Sequence, residues 1–219
     1  MGEFWEVLTR HFPEFRSGFF VTCRLVAISF VIAMGVGTLI AALRVAPVRW
    51  LNRVGAVYVE TFRNIPLLVL IFIFYFGFPV AFNIGPWLAG TLALGLYTAA
   101  YIAETLRSGV FAVGKGQIDA ALSLGLTYRE TLQKIILPQS FRTVIPPLGN
   151  LIIAMIKNSA IIGASALAIP DLLKTGRIVA ANTVKTHESF FWAASGYLIL
   201  TVTATFIVRY LEKRLAIKR

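Results

Sequence analysis

The residues of this chain best suited to chemistry are charged side chains standing inside long apolar runs. Glu60 and Arg63 lie three positions apart in one run, and Glu104 and Arg107 repeat that spacing in another. That spacing is one face of a helix, so each acid can neutralise its base. An unpaired charge in hydrocarbon is costly, so such groups either pair or line a polar path. The spacing alone allows both. Lys157-Asn158-Ser159 is a third polar cluster, near the end of its own apolar run. Its lysine either snorkels to an interface or helps a cavity recognise a polar solute. Counting about 1.5 Å per residue from Trp87 puts Glu104 roughly 26 Å along its helix.

Other motifs carry less. Gly109-Val-Phe-Ala-Val-Gly114-Lys115-Gly116 matches a phosphate-binding loop in seven positions. The eighth should be Ser or Thr to hold magnesium, and it is Gly116. The segment also follows an apolar helix and not a strand, so any ATPase must be another chain. His11 and His187 are far apart, and Cys23 is the one cysteine. No metal-ligand cluster, intrachain disulfide or covalent chemistry is expected, and Cys23 reads as a packed thiol.

The elements that position these groups are membrane spans. The chain is 58% hydrophobic and 14% charged, with mean hydropathy +0.77, whereas soluble domains are about 45–50% apolar and about 25% charged. About 20 apolar residues cross a bilayer. Five runs qualify, at about 18–43, 54–78, 87–113, 141–162 and 190–210. Residues 1–17 mix acids, bases and aromatics, which suits a short interfacial helix and not a signal peptide. Ala33, Gly37 and Ala41 form a small-residue face for close helix contact. Pro66 should bend or break the second span, Pro146 and Pro147 should interrupt the fourth, and Asn83, Gly85 and Pro86 should make a turn. A mixed loop occupies 163–189. The expected fold is therefore an all-α membrane protein of five transmembrane helices in a single domain, 1–219.

Orientation follows from Lys and Arg. With 114–138 inside, thirteen of the 21 cations fall inside, five outside and three within spans. The positive-inside rule then puts the N-terminus outside and the C-terminus in the cytoplasm. It also accounts for the net charge of +11 through anionic inner-leaflet lipid, without nucleic acid.

The stretch Asp119 to Pro138 is the polar centre of the chain. Ala120 and Ala121 are small, and Gly125 stands four residues beyond Ala121, a spacing that predicts one unbulky helix face open to another protein. Arg129, Glu130 and Lys134 follow, and Pro138 is expected to end the unit. The segment reads as a docking helix between spans.

Asp119-Ala120-Ala121, Gly125, Ile135 and Leu137-Pro138 resemble the Glu-Ala-Ala loop of ABC importer permeases, with Asp for Glu as the departure. Arg63-Asn-Ile-Pro66-Leu67, Ala103-Glu104 to Gly109, Gly116-Gln117 and Lys157-Asn158-Ser159 extend the likeness to the polar amino-acid permeases, most of all the glutamate/glutamine type. The resemblance covers about residues 18–215. It implies the type I importer permease fold, in a bacterial inner membrane. It also implies a coupling helix in which Asp119, Ala120, Ala121, Gly125, Arg129 and Pro138 meet an ATPase dimer that carries the ATP and magnesium. A second permease chain, identical or homologous, and an extracytoplasmic solute-binding protein would complete the assembly. Arg63, Pro66, Tyr101, Glu104, Lys157, Asn158 and Ser159 are then candidates for the substrate pathway, and Lys174 and Arg177 for binding-protein docking. Asn158, where many members have Asp, favours acidic or amide amino acids over cationic ones. An ion-coupled carrier, a small channel and a membrane scaffold are the competing classes. Five spans without an inverted repeat weigh against the carrier, and the mid-span charges weigh against the scaffold.

Overall fold

The computed structural model describes residues 2–77 and 84–215, which form helices and turns with no strand among them. Phe78, Asn83 and the last four residues, with Lys218 and Arg219, lie outside the described residues, so the turn expected at Asn83 and the end of the second span do too.

Helix α1 (Gly2–Val45) joins the expected interfacial segment and first span into one helix, kinked at His11 with φ −111° and ψ 16°. Pro13 supplies the cause, since it has no N–H for the Thr9 carbonyl. Helix α2 (Arg49–Asn64) and α3 (Leu67–Phe72, continued by a π turn at Ile73–Gly77) are one bent pair, turning 103° between them. Ile65 is extended there, at φ −95° and ψ 127°, because a residue before proline avoids the helical region. Residues 54–78 therefore do not form a straight span. Pro66 breaks the helix, as its position predicts.

Helix α4 (Pro86–Phe111) is the centre of the bundle, with Ala89, Ala93, Leu94, Ala99, Ala100 and Ala103 fully buried. Its small residues let α1 come close. A Cβ on Gly37 would stand 2.8 Å from Ile102 Cγ2 and 3.0 Å from the Ala99 carbonyl, and one on Gly95 would stand 2.8 Å from Ile32 Cγ2. Ala33 and Ala41 of the predicted small-residue face are buried in the same seam. Leu67, Leu70 and Ile71 of α3 and Met155 and Ile162 from the fourth apolar run complete this core.

A short α5 (Lys115–Ser123) precedes α6 (Tyr128–Thr131), which passes through a π turn at Leu132–Ile136 into α7 (Leu137–Ala164). The expected stop at Pro138 does not occur. Leu137 N–H bonds back to the Leu132 carbonyl, and this wider turn absorbs the hydrogen bond that Pro138 cannot make. Pro138 sits in the first turn of α7, where proline fits. Pro146 and Pro147 also lie within unbroken helix and are exposed, and neither can donate to the carbonyl four residues before it. The fourth span is thus not interrupted.

Helices α8 (Leu172–Thr183) and α9 (Thr186–Leu215) close the chain. They enclose a second core in which Val7 and Phe15 of α1 meet Leu172, Val179 and Ala193. Glu3–Val45, Tyr128–Ala164 and Thr186–Arg214 are long and apolar enough to cross a membrane, and the bent pair makes a fourth if taken as one span. Helix α4 has 26 residues, but its Gly, Ala, Thr and Tyr make it less apolar while fitting it to helix packing.

Candidate functional site

Two helix ends frame the polar segment 114–138. Ala121 is buried, while Asp119, Ala120, Gly125 and Arg129 are exposed. Gly125 does not share a helix face with Ala121, because α5 ends at Ser123 and Gly125 has φ +85°. Leu126 N–H bonds to the Ala121 carbonyl at 3.2 Å and Gly125 N–H to the Leu122 carbonyl at 3.0 Å. That is a Schellman cap, in which a left-handed residue satisfies the last carbonyls of a helix. The glycine is there for its backbone, and its side-chain size is secondary.

The next helix opens on a capping box. Thr127 Oγ1 accepts from Glu130 N–H at 3.2 Å, and Glu130 Oε2 accepts from Thr127 N–H at 3.0 Å. These bonds, aided by Lys134 at 3.2 Å, hold the Glu130 carboxyl down to about 2. Between the two caps the turn projects Leu124, 84% exposed, with Tyr128 60% exposed beside it. Gln139 Nε2 donates to Gln117 Oε1 at 2.6 Å and ties α5 to α7. The arrangement is a rigid, partly apolar knuckle carried on the end of a long helix. Lys115 and Gly116, read above as a failed phosphate loop, start α5 after a helix.

The intramembrane charges divide. Glu104 is paired with Arg107 through both carboxylate oxygens, and Arg44 of α1 joins them at 3.4 Å. Spacing alone reveals Arg107 but not Arg44, which comes from 60 residues away. Glu60 and Arg63 are not paired. Arg63 instead lies over the Tyr101 ring at 5.2 Å, and Tyr101 OH meets Tyr97 OH at 3.1 Å. Tyr58 donates to the Leu96 carbonyl at 2.9 Å and stacks on Phe62. These aromatics make a half-buried polar wall between α2 and α4, next to the break at Pro66.

Lys157, Asn158 and Ser159 do not share a surface. Lys157 is exposed, Asn158 half-buried and Ser159 fully buried, its hydroxyl donating to the Ile156 carbonyl at 2.7 Å. Ser159 faces a network that sequence reasoning missed. Asp171, wholly buried, caps α8 by accepting from Lys174 N–H at 2.8 Å and accepts Tyr197 OH at 3.0 Å. Thr22 Oγ1 accepts from Leu172 N–H at 3.0 Å. Burial pushes the Asp171 carboxyl up to about 6, against the pull of these donors. An aspartate opening a helix after Pro170 was the available signal. Lys174 Nζ donates to the Leu167 carbonyl at 3.0 Å, and Arg177 Nη1 to the Gly163 and Ala164 carbonyls at 3.3 and 3.1 Å. Both cations therefore serve the chain itself, satisfying the carbonyls at and beyond the end of α7.

The chain matches the family described as "Binding-protein-dependent transport system inner membrane component" over residues 33–217. It is 40% identical over 210 residues to the probable glutamine ABC transporter permease protein GlnM of Bacillus subtilis (strain 168), covering 95% of this chain and 96% of the relative. It is 34% identical over 215 residues to that organism's L-cystine transport system permease protein TcyB, covering 96% and 91%. The solved structure described as "Crystal structure of an amino acid ABC transporter with histidines" superposes with a TM-score of 0.88 at 32% identity, covering 94% of this chain and 96% of that one. The helical architecture, the capped knuckle and these full-length likenesses lead to one assignment: the chain belongs to the family of binding-protein-dependent transport system inner membrane components.

Proposed function

We propose that this chain is the membrane-spanning subunit of an ATP-driven importer of polar amino acids, with glutamine or glutamate as the first substrates to try. The glutamine relative supports that choice, and the cystine relative widens the class. The observation that carries the reading is the knuckle at Leu124–Tyr128, an exposed apolar turn held between two helix caps. It has the form of a surface awaiting a groove, which a separate ATPase dimer would supply.

In this reading the bundle crosses the bacterial inner membrane five times, with the bent α2–α3 pair as the second span and the N-terminus outside. A second permease chain completes the pathway. The Arg63–Tyr101–Tyr97 wall and Glu104 border it, with Lys157 and Asn158 toward the outer end. ATP-driven closure of the partner pair moves the knuckle, and the bundle passes between outward- and inward-facing states. The energy for that switch is the differential affinity of ATP for the two states. A solute-binding protein docking on Lys174 and Arg177 would use the donors left after their internal bonds, since lysine has three and arginine five.

A mild-detergent pull-down from native membranes tests the reading, with wild type beside Gly125→Asp. An ATPase that co-purifies with wild type and is lost from an inserted variant supports it. Absence of any ATPase with wild type overturns it and turns attention to ion-gradient-driven uptake.

A further inference from the structure

We propose that the inner end of this bundle holds a site for one anionic phospholipid, its acyl chains in a groove between α1, α4 and the coupling segment and its phosphate on Arg49 and Arg53. The term inner rests on the orientation proposed above; the site itself does not.

The groove has a volume of about 910 Å³, and its walls include Ala42, Val110, Ile118, Leu132 and Phe141. Small-molecule pockets run from about 300 to 1,000 Å³, so this one takes an occupant of lipid size. Thr38, Lys115, Tyr128 and Ser140 also line it, but most of its wall is aliphatic or aromatic, so few polar partners are available to ordered water. The occupant must be apolar over most of its length.

One rim of the groove is different. Ala46 and Pro47 are shared with a second cavity of about 300 Å³ lined by Arg49, Asn52 and Arg53. Among the described residues neither Arg49 nor Arg53 has an ion-pair partner, whereas nearby Arg44 and Arg107 are both committed to Glu104. A largely apolar groove opening beside two uncommitted guanidinium groups matches a molecule with apolar tails and an anionic head. Guanidinium binds phosphate through two parallel hydrogen bonds. Trp50, Phe111 and Phe141 are 63%, 64% and 63% exposed at this end. Aromatic side chains gather at membrane interfaces, which sets the rim at headgroup level.

The test is native mass spectrometry of the full chain purified in mild detergent and titrated with phosphatidylglycerol or phosphatidylcholine. Wild type is expected to retain phosphatidylglycerol in preference. Arg49→Gln and Arg53→Gln should each weaken that binding about fivefold, from about 1 kcal/mol per cation. Ala42→Phe, which fills the groove, should remove one bound lipid of either kind. Glycerol phosphate, lacking tails, should not compete.

Equal retention of the two lipids, or a preference that the arginine variants leave intact, overturns the proposal. So does a lipid count unchanged by Ala42→Phe, and separation of permease copies or loss of an ATPase in that variant would then assign the groove to a protein interface. Arg49 and Arg53 are exposed, so their variants fold and decide the matter even if Ala42→Phe does not. Orientation is read separately, from labelling of Ser123→Cys in a Cys23→Ala background by an impermeant thiol reagent on whole cells. Labelling from outside overturns the topology and leaves the lipid site standing.

Discussion

The two polar connectors of this molecule are built on opposite plans. Residues 163–189 pack against the chain itself: Asp171 is 0% exposed beside the equally buried Leu167 and Ile169, and Lys174 and Arg177 are bound to backbone carbonyls. Residues 114–138 turn outward, with Leu124 and Tyr128 exposed and bonds spent on capping their own helices. A buried polar group must find a partner within the fold, so the first connector is a lock. An exposed apolar turn between two helix caps has no partner for its apolar side chains within the described residues, which is the feature on which the proposed docking role rests.

Four changes break or sharpen that contrast. The largest expected effect is at the lock. Asp171→Ala removes a helix cap and leaves Tyr197 OH without its carboxylate, a loss of about 3 kcal/mol at pH 5, read as a lowered melting temperature in detergent. Next is pH. The folded Asp171 carboxyl, at about 6, lies above the unfolded value of about 3.9. The folded state therefore binds this proton more tightly. Its contribution to stability is present below about pH 4 and declines, by about 3 kcal/mol in total, as pH rises through 6. Asp171→Asn should flatten that slope, and an unchanged slope would assign it to another group.

At the knuckle the effects are smaller in stability and larger in partnership. Gly125→Val places a branched side chain at φ +85° and should cost about 1–2 kcal/mol locally. Gly125→Asn, which tolerates that conformation, should restore ATPase co-purification where Val and Ala do not. If Ala performs as well as Gly, smallness and not conformation is what the position needs. Thr127→Ala should cost about 1 kcal/mol through the lost cap. It should appear as faster amide exchange in α6 with the global melt nearly unmoved.

Local features of the fold were legible and distant ones were not. Pro66 announced the break between α2 and α3, and Ala33-Gly37-Ala41 announced the seam with α4. Glu104 and Arg107 pair because three-residue spacing on a helix brings them together. The same spacing failed for Glu60 and Arg63, because Tyr101 from another helix offers Arg63 a ring face. Gly125 was read as part of a helix face and is instead the cap beyond the helix end, since periodicity cannot tell the last turn of a helix from its cap. Pro138, Pro146 and Pro147 were read as breaks but lie in continuous helix; a π turn takes up the bond that Pro138 cannot make, which the local rule does not foresee. The joining of Arg44 to Glu104, and of Tyr197 to Asp171, depends on how the chain returns in space, which no local pattern records.

Tyr128–Ala164 runs as one helix of 37 residues. Mechanically it is a connecting rod, about 55 Å long, with the knuckle at one end and the Arg177 clamp on its final carbonyls at the other. A rod of that length turned by about 5° sweeps its far tip through about 5 Å, one helical turn. A small rotation about the knuckle end is therefore a large displacement at the opposite face. The π turn at Leu132–Ile136 lies close to the knuckle end, where a slip of one residue in hydrogen bonding would re-aim the knuckle without bending the shaft.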